Sequence, residues 1–172
     1  YEGNVLSVAI GQESTQVTPI QLANYIATLV SGGKHCEAHL LKAVKSYDNT
    51  QVLAVGNMDP KNTVDISDEA LTAVKKGMHD LTTTGSLAPY FKNCVVDAGA
   101  KTGTAQISKD TENNGVFVCF APYDDPEVAV SIVIEQGGSG SALASTAVNI
   151  LNAYFSADEI GTAILGENQL MQ

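Results

Sequence analysis

Residues 94–135 hold three extended apolar runs separated by two short polar turns, and this pattern limits the possible folds more than any other feature. The first leads from Cys94-Val95-Val96 into Lys101-Thr102-Gly103-Thr104-Ala105-Gln106-Ile107. The second is Val116-Phe117-Val118-Cys119-Phe120-Ala121, and the third is Val128-Ala129-Val130-Ser131-Ile132-Val133-Ile134. Short β-branched runs bounded by Asp110 to Gly115 and Tyr123 to Pro126 read as strands. Such brief connections cannot cross a sheet, so neighbouring strands must pair antiparallel. Strands near 95–107, 116–122 and 127–135 are therefore expected as a meander, with Lys101 on the outer one.

Helices flank this meander. Thr18 suits an N-cap, Pro19 the first helical position and Gln21 the far end of a capping box. Leu22, Ala23, Ile26, Ala27 and Val30 follow at helical spacing until Gly32-Gly33. Ser67-Asp68-Glu69 opens a second helix with Leu71, Val74, Met78 and Leu81 on one face, fading by Gly85. Beyond Gly137 to Gly140, read as a flexible connection, a third helix places Leu143, Ala147, Ile150, Leu151 and Tyr154 on its apolar side. That side is expected to cover Val128, Val130, Ile132 and Ile134. His39 to Tyr47 and Gln51 to Val55 read as two further strands, Asn57 to Asp65 as a polar connection, and Val5 to Ile10 as a short strand or entry loop. The fold class is α+β, an antiparallel sheet with packed helices, in a single unit of 172 residues.

Several function classes are excluded early. Nine Lys plus Arg stand against nineteen Asp plus Glu, giving a net charge of −10. The nearest thing to a basic run is Lys75-Lys76, so nucleic acid is not an expected partner. No apolar run approaches the roughly 18 residues of a membrane span, and the chain is expected to be soluble. The three cysteines, Cys36, Cys94 and Cys119, lack the close pairing of a zinc site and read as buried, unpaired thiols. His35-Cys36-Glu37-Ala38-His39 lacks the Glu that the zinc helix signature needs directly after its first His, so no metal is expected. His79 reads as a surface or boundary residue. No cofactor is indicated.

Lys101-Thr102-Gly103 carries the chemistry. A phosphate loop would need a glycine directly before the lysine, where Ala100 stands, and a helix after it, where a strand is expected. On an edge strand the triplet offers a different set of tools. Lys101 is a cation able to hold a carboxylate and to lower the pKa of a neighbouring proton carrier. Thr102 and Thr104 supply stiff hydroxyl donors. Gly103 lets another backbone approach and pair, and strand N–H groups nearby can stabilise an oxyanion. This is equipment for acyl transfer on a peptide that ends in a carboxylate.

The surroundings of the triplet resemble a known family. Penicillin-recognising serine acyltransferases carry Ser-x-x-Lys, Ser-x-Asn and Lys-Thr-Gly in chain order. Lys101-Thr102-Gly103-Thr104-Ala105-Gln106 is similar to the longer form in class B penicillin-binding proteins. Gly11-Gln12 with Gln16-Val17-Thr18-Pro19-Ile20-Gln21-Leu22-Ala23 resembles the segment that follows their Ser-x-Asn. Val116 to Pro122 resembles their next strand, and Gly85-Ser86-Leu87-Ala88 sits where they tend to have Gly-Thr-Ala. The likeness runs over about residues 5–155. Glu13 and Ala100 depart from it, each standing where the family commonly has glycine. The Ser-x-x-Lys and Ser-x-Asn segments are expected upstream of residue 1, so the chain is read as lacking its nucleophile.

The resemblance implies a part of a peptidoglycan D,D-transpeptidase, with the chain alone inactive. Lys101 would be the cation of the cleft and a catalytic residue, and Thr102 a ligand for the substrate carboxylate. Gly103 would allow close approach of the peptide. The Thr104 N–H would form half of the oxyanion hole, with its hydroxyl also facing the carboxylate. Implied partners are stem peptides ending in D-alanyl-D-alanine and β-lactams, and the implied parent is anchored in the bacterial membrane with this domain on its outer face. A β-lactam sensor or non-catalytic binding module is the alternative. A β-lactamase fits poorly with the Thr18-Pro19 helix and the long Asp65 to Ala88 segment. Without the nucleophile-bearing helix, an apolar patch is expected near Lys101, covered by a second copy in a homo-oligomer or left open.

Overall fold

A computed structural model describes residues 16–106 and 110–164, the last eight as backbone. Val5 to Ile10, Gly11, Gln12, Glu13 and Ile107 lie outside the described residues. Helix α1 spans Pro19–Val30 and starts as its sequence dictates: the Thr18 hydroxyl accepts from the Gln21 amide, and the Gln21 side chain accepts from the Thr18 amide. Two short ladders follow, β1 (Lys34–His35) with β4 (Asn62–Thr63) and β2 (Ala43–Lys45) with β3 (Val52–Val55). The strand expected over His39 to Tyr47 is thus cut to three residues. Leu40 and Tyr47 are fully exposed, so nothing there favours extending it. Part of the expected polar connection pairs instead, as β4.

Helix α2 covers Asp68–Thr83, capped by the Ser67 side chain on the Ala70 amide, with Asp68 and Glu69 at its positive end. After the short α3 (Ala88–Phe91) come β5 (Gly99–Ala105), β6 (Asn114–Ala121) and β7 (Val128–Ile134), antiparallel in that order. This is the expected meander, although residues 95–98 stay outside the ladder. A 3₁₀ turn, Gly140–Leu143, leads into α4, Ala144–Ile164.

Strand alternation divides β6 between two faces. Phe117, Cys119 and Ala121 face a core made with Val128, Val130, Ile132, Leu87 and the α4 residues Ala144, Ala147, Val148 and Leu151. Val118 and Phe120 face α1 and α2 through Ile26 and Met78. The molecule therefore has helices on both sides of a three-stranded sheet. His79 of α2 stacks on Tyr123 at 4.1 Å between centroids, so it belongs to this second interface.

The α4 stripe differs from expectation. Leu143, Ala147 and Leu151 are buried, but Ile150 and Tyr154 are 40% and 49% exposed, with Ala144 and Val148 buried instead. Small alanines let the helix approach the sheet closely, and the bulkier residues one position round are turned to solvent. Asn152 on the same helix accepts from the Val95 amide at 2.9 Å and donates to the Asn93 carbonyl at 3.1 Å, tying down the approach to β5.

All three cysteines are free, but only Cys119 is buried. Burial pushes its thiol up to about 12 from 9.0. The folded chain therefore keeps this proton where the unfolded chain has lost it, and the stability contribution of Cys119 falls as pH rises through 9.0 toward about 12. At pH 8, iodoacetamide is expected to modify Cys36 and leave Cys119 intact until denaturant is added. Mass spectrometry showing equal modification of both in the native protein would refute that burial.

Candidate active site

Lys101, Thr102 and Gly103 lie on β5, whose only ladder neighbour among the described residues is β6. Their other side is closed only in part. Ala98 and Ala100 are buried, and the Thr82 hydroxyl of α2 donates to the Ala98 carbonyl at 2.6 Å. From Lys101 onward the strand edge opens.

Register fixes what each residue presents. Lys101 pairs with Val118 and Gly103 with Val116, so these positions face α1 and α2. Thr102 pairs with Phe117 and Thr104 with Gly115, so their side chains leave toward the α4 face. A single methyl position on Gly140 would overlap the carbonyl oxygens of both Gly103 and Val116. Both oxygens must then point into the ladder, making Gly103 and Val116 a hydrogen-bonded pair. By alternation the N–H and C=O of Thr102 and Thr104 point to the open edge. The Lys101 ammonium agrees with this, donating to the Thr102 carbonyl at 2.7 Å.

Lys101, Thr102 and Gly103 border a groove of about 380 Å³ floored by Val116 and Val118 and walled by Leu22, Tyr25, Ile26 and Leu29 of α1 and Val74 and Met78 of α2. An open apolar groove therefore lies beside Lys101, as expected from the sequence. Thr104 does not border it: its amide serves the edge, while its hydroxyl stands across the strand from Lys101. Leu22, Ile26, Val74 and Met78 lie on the helix faces read from the sequence, whereas Tyr25 and Leu29 do not, since the groove forms only where the two helices meet the strand. Gly103 itself is not demanded by packing, since a methyl there would meet nothing closer than the Val116 side chain at 3.4 Å.

One expectation needs correcting. A Ser-x-x-Lys does stand in the chain, as Ser31-Gly32-Gly33-Lys34. Its place argues against a nucleophile. Ser31 caps the C-terminus of α1, the negative end of the helix, and its hydroxyl donates to the carbonyls of Thr28 and Lys34 at 3.1 Å each. It sits beside Pro126, Glu127 and Val128, across the sheet from β5. It also follows the Val17-Thr18-Pro19 segment, reversing the chain order of the family. Ser-x-Asn has no match in the sequence. His35 and His39 turn to different partners, Asn62 at 3.1 Å and the Asn57 carbonyl at 2.8 Å.

Comparison with known proteins places the chain in a family. The model of the penicillin binding protein transpeptidase domain matches residues 1–154. Penicillin-binding protein 2A of Bacillus subtilis is 32% identical over 145 residues, covering 77% of this chain and 20% of that protein. Peptidoglycan D,D-transpeptidase MrdA of Escherichia coli K12 is 30% identical over 184 residues, covering 98% of this chain and 29% of that one. The chain thus spans less than a third of these relatives. Among solved structures, the penicillin-binding protein PBP2 of Helicobacter pylori superposes with a TM-score of 0.70 at 26% identity, over 91% of this chain and 27% of its own. Penicillin-binding protein 2B of Streptococcus pneumoniae R6 shares the fold with a TM-score of 0.77 at 22% identity, over 100% of this chain and 28% of its own.

Proposed function

Because the chain belongs to the penicillin-binding protein transpeptidase domain family, we propose that it forms the C-terminal part of a peptidoglycan D,D-transpeptidase domain whose nucleophilic serine stands on another segment of the parent protein. The observation that carries this reading is the Lys101-Thr102-Gly103 strand, open at its edge and flanked by an apolar groove. In the proposed reaction a serine Oγ attacks the carbonyl of the penultimate D-alanine of a stem peptide. The peptide bond breaks, the terminal D-alanine leaves as an amine carrying the serine proton, and an acyl-enzyme remains. The amine of a second stem peptide then takes the acyl group and returns the proton. Lys101 holds negative charge at the mouth of the cleft, Thr102 binds the terminal carboxylate, Gly103 lets the peptide approach, and the Thr104 N–H donates to the oxyanion.

In this reading the serine-bearing segment fills the apolar groove. In its absence a second copy of the chain is the occupant we propose. The parent is membrane-anchored with this domain on the outer face, and its ligands include β-lactams. No helix among the described residues is long and apolar enough to cross a membrane.

Incubation with a fluorescent penicillin tests the proposal. The 172-residue chain is expected to take no covalent label, whereas the parent takes one equivalent, on a serine outside this sequence. A denaturation-resistant labelled band on the chain itself would overturn the assignment of roles. A parent that acylates but never cross-links stem peptides would favour a β-lactam sensor on the same scaffold.

A further inference from the structure

The run Gly137-Gly138-Ser139-Gly140 reads in sequence as a flexible connection, and the structure shows it held at several points. The Gln136 amide donates to the Asn114 side chain at 2.9 Å and the Gly138 amide to the Asn113 carbonyl at 2.8 Å, fixing the loop to the start of β6. The Ser139 hydroxyl accepts from the Ser141 amide at 3.3 Å, and Leu143 at the far end of the turn is buried in the α4 core. Between these anchors Gly140 is buried against the β5–β6 ladder.

What surrounds Gly140 is backbone. A Cβ there would overlap the carbonyl oxygens of Gly103 and Val116 and lie 3.0 Å from the Gly103 nitrogen. No side chain could swing aside to make room, so either the turn or the strand would have to move. Gly138 in the same loop is a glycine for another reason: its φ is +72° and a Cβ on it would meet nothing within 4 Å. Only Gly140 bears on the strand.

The geometry assigns Gly140 a positioning role: it seats the 3₁₀ turn directly on the Gly103–Val116 pair and so fixes where the neighbouring Thr104 N–H stands on the open edge. It touches no substrate and acts through Gly103. The inference rests on the transpeptidase reading, because the position of that N–H matters when it must meet a developing oxyanion. Groups that stabilise such charge act only where they are already correctly placed.

The test uses the full-length parent and a fluorescent penicillin, with acylation followed over a range of concentrations and each rate normalised to the final labelled fraction. Gly140→Ala is expected to lower the acylation rate constant roughly tenfold, a fraction of the 10²–10³ lost when an oxyanion donor is removed outright. The half-saturating concentration should change less than about twofold, since Gly140 itself touches no substrate. Gly138→Asn, which tolerates a positive φ and touches nothing, is expected to acylate as wild type. Gly140→Ala acylating at the wild-type rate constant, or Gly138→Asn slowed equally, would overturn the role. If Gly140→Ala does not fold, Ser139→Ala replaces it, loosening the turn without adding an atom near the strand. A several-fold slower rate constant at unchanged half-saturation supports the seat, and an unchanged rate constant overturns it. A wild-type parent that takes no label would instead overturn the proposed function, independently of any difference among variants.

Discussion

Lys101→Ala in the parent protein is expected to lower the acylation rate by a factor of roughly 10²–10⁴ while leaving the fold intact. The range is that of losing a group that assists proton transfer in the transition state. Lys101 is exposed, and its ammonium rests on the neighbouring Thr102 carbonyl rather than in the core. Truncation should therefore move the urea midpoint by no more than about 0.5 kcal/mol of stability. Stopped-flow acylation alongside urea denaturation separates the two effects. A variant that acylates at the wild-type rate would remove Lys101 from the mechanism, and one that unfolds would make it a structural residue.

Phe117→Ala should act on the opposite link, through packing alone. Phe117 is wholly buried between β7 and α4, in contact with the cluster that holds Cys119, Leu143, Ala147 and Leu151. Removing its ring leaves a cavity that a three-stranded sheet clamped between helices cannot easily close. The expected cost is about 3–5 kcal/mol, a large part of the 5–15 kcal/mol that holds a typical domain together. Urea denaturation of the 172-residue chain should show a much lower midpoint or no cooperative transition. Ile150→Ala is the matching control, expected to cost about 1 kcal/mol because that side chain is 40% exposed and lies outside the buried cluster. Equal losses for the two would mean that the apolar side of α4 is the one read from sequence and not the one described above.

That contrast shows what sequence reasoning reaches. The start of α1 was legible because every participant in its capping box lies within four residues. The meander was legible because short connections leave antiparallel pairing as the only option. The α4 stripe is right at Leu143, Ala147 and Leu151 but too wide at Ile150 and Tyr154, because large apolar residues attract attention whereas Ala144 is buried by being small. The β1–β4 ladder was missed since two residues per strand create no periodicity. The place of Lys101 to Thr104 on the outer strand could be read from the meander, but Leu22, Tyr25 and Val74 meet only through tertiary packing. Ser31 illustrates the reverse: four letters match a catalytic pattern, and only the helix end on which they fall shows that they serve another purpose. Gly140 could not be read at all, because the reason for its missing side chain lies in the backbone of a different strand.

The unequal edge of β5 has a consequence for length selection. With Ala98 engaged by Thr82 and Ala100 sealed, an incoming chain meets a stop at one end of the strand. Among the described residues the open stretch runs from Lys101 to Ala105, and within it Thr102 and Thr104 turn their polar backbone groups outward. At about 3.3 Å per residue this is room for a handful of residues. In the transpeptidase reading proposed above, such an edge works as a short ruler: it measures the tip of a peptide and does not recruit a long strand. The same stop limits unwanted self-assembly along that edge, since a partner strand finds only two outward rungs to climb.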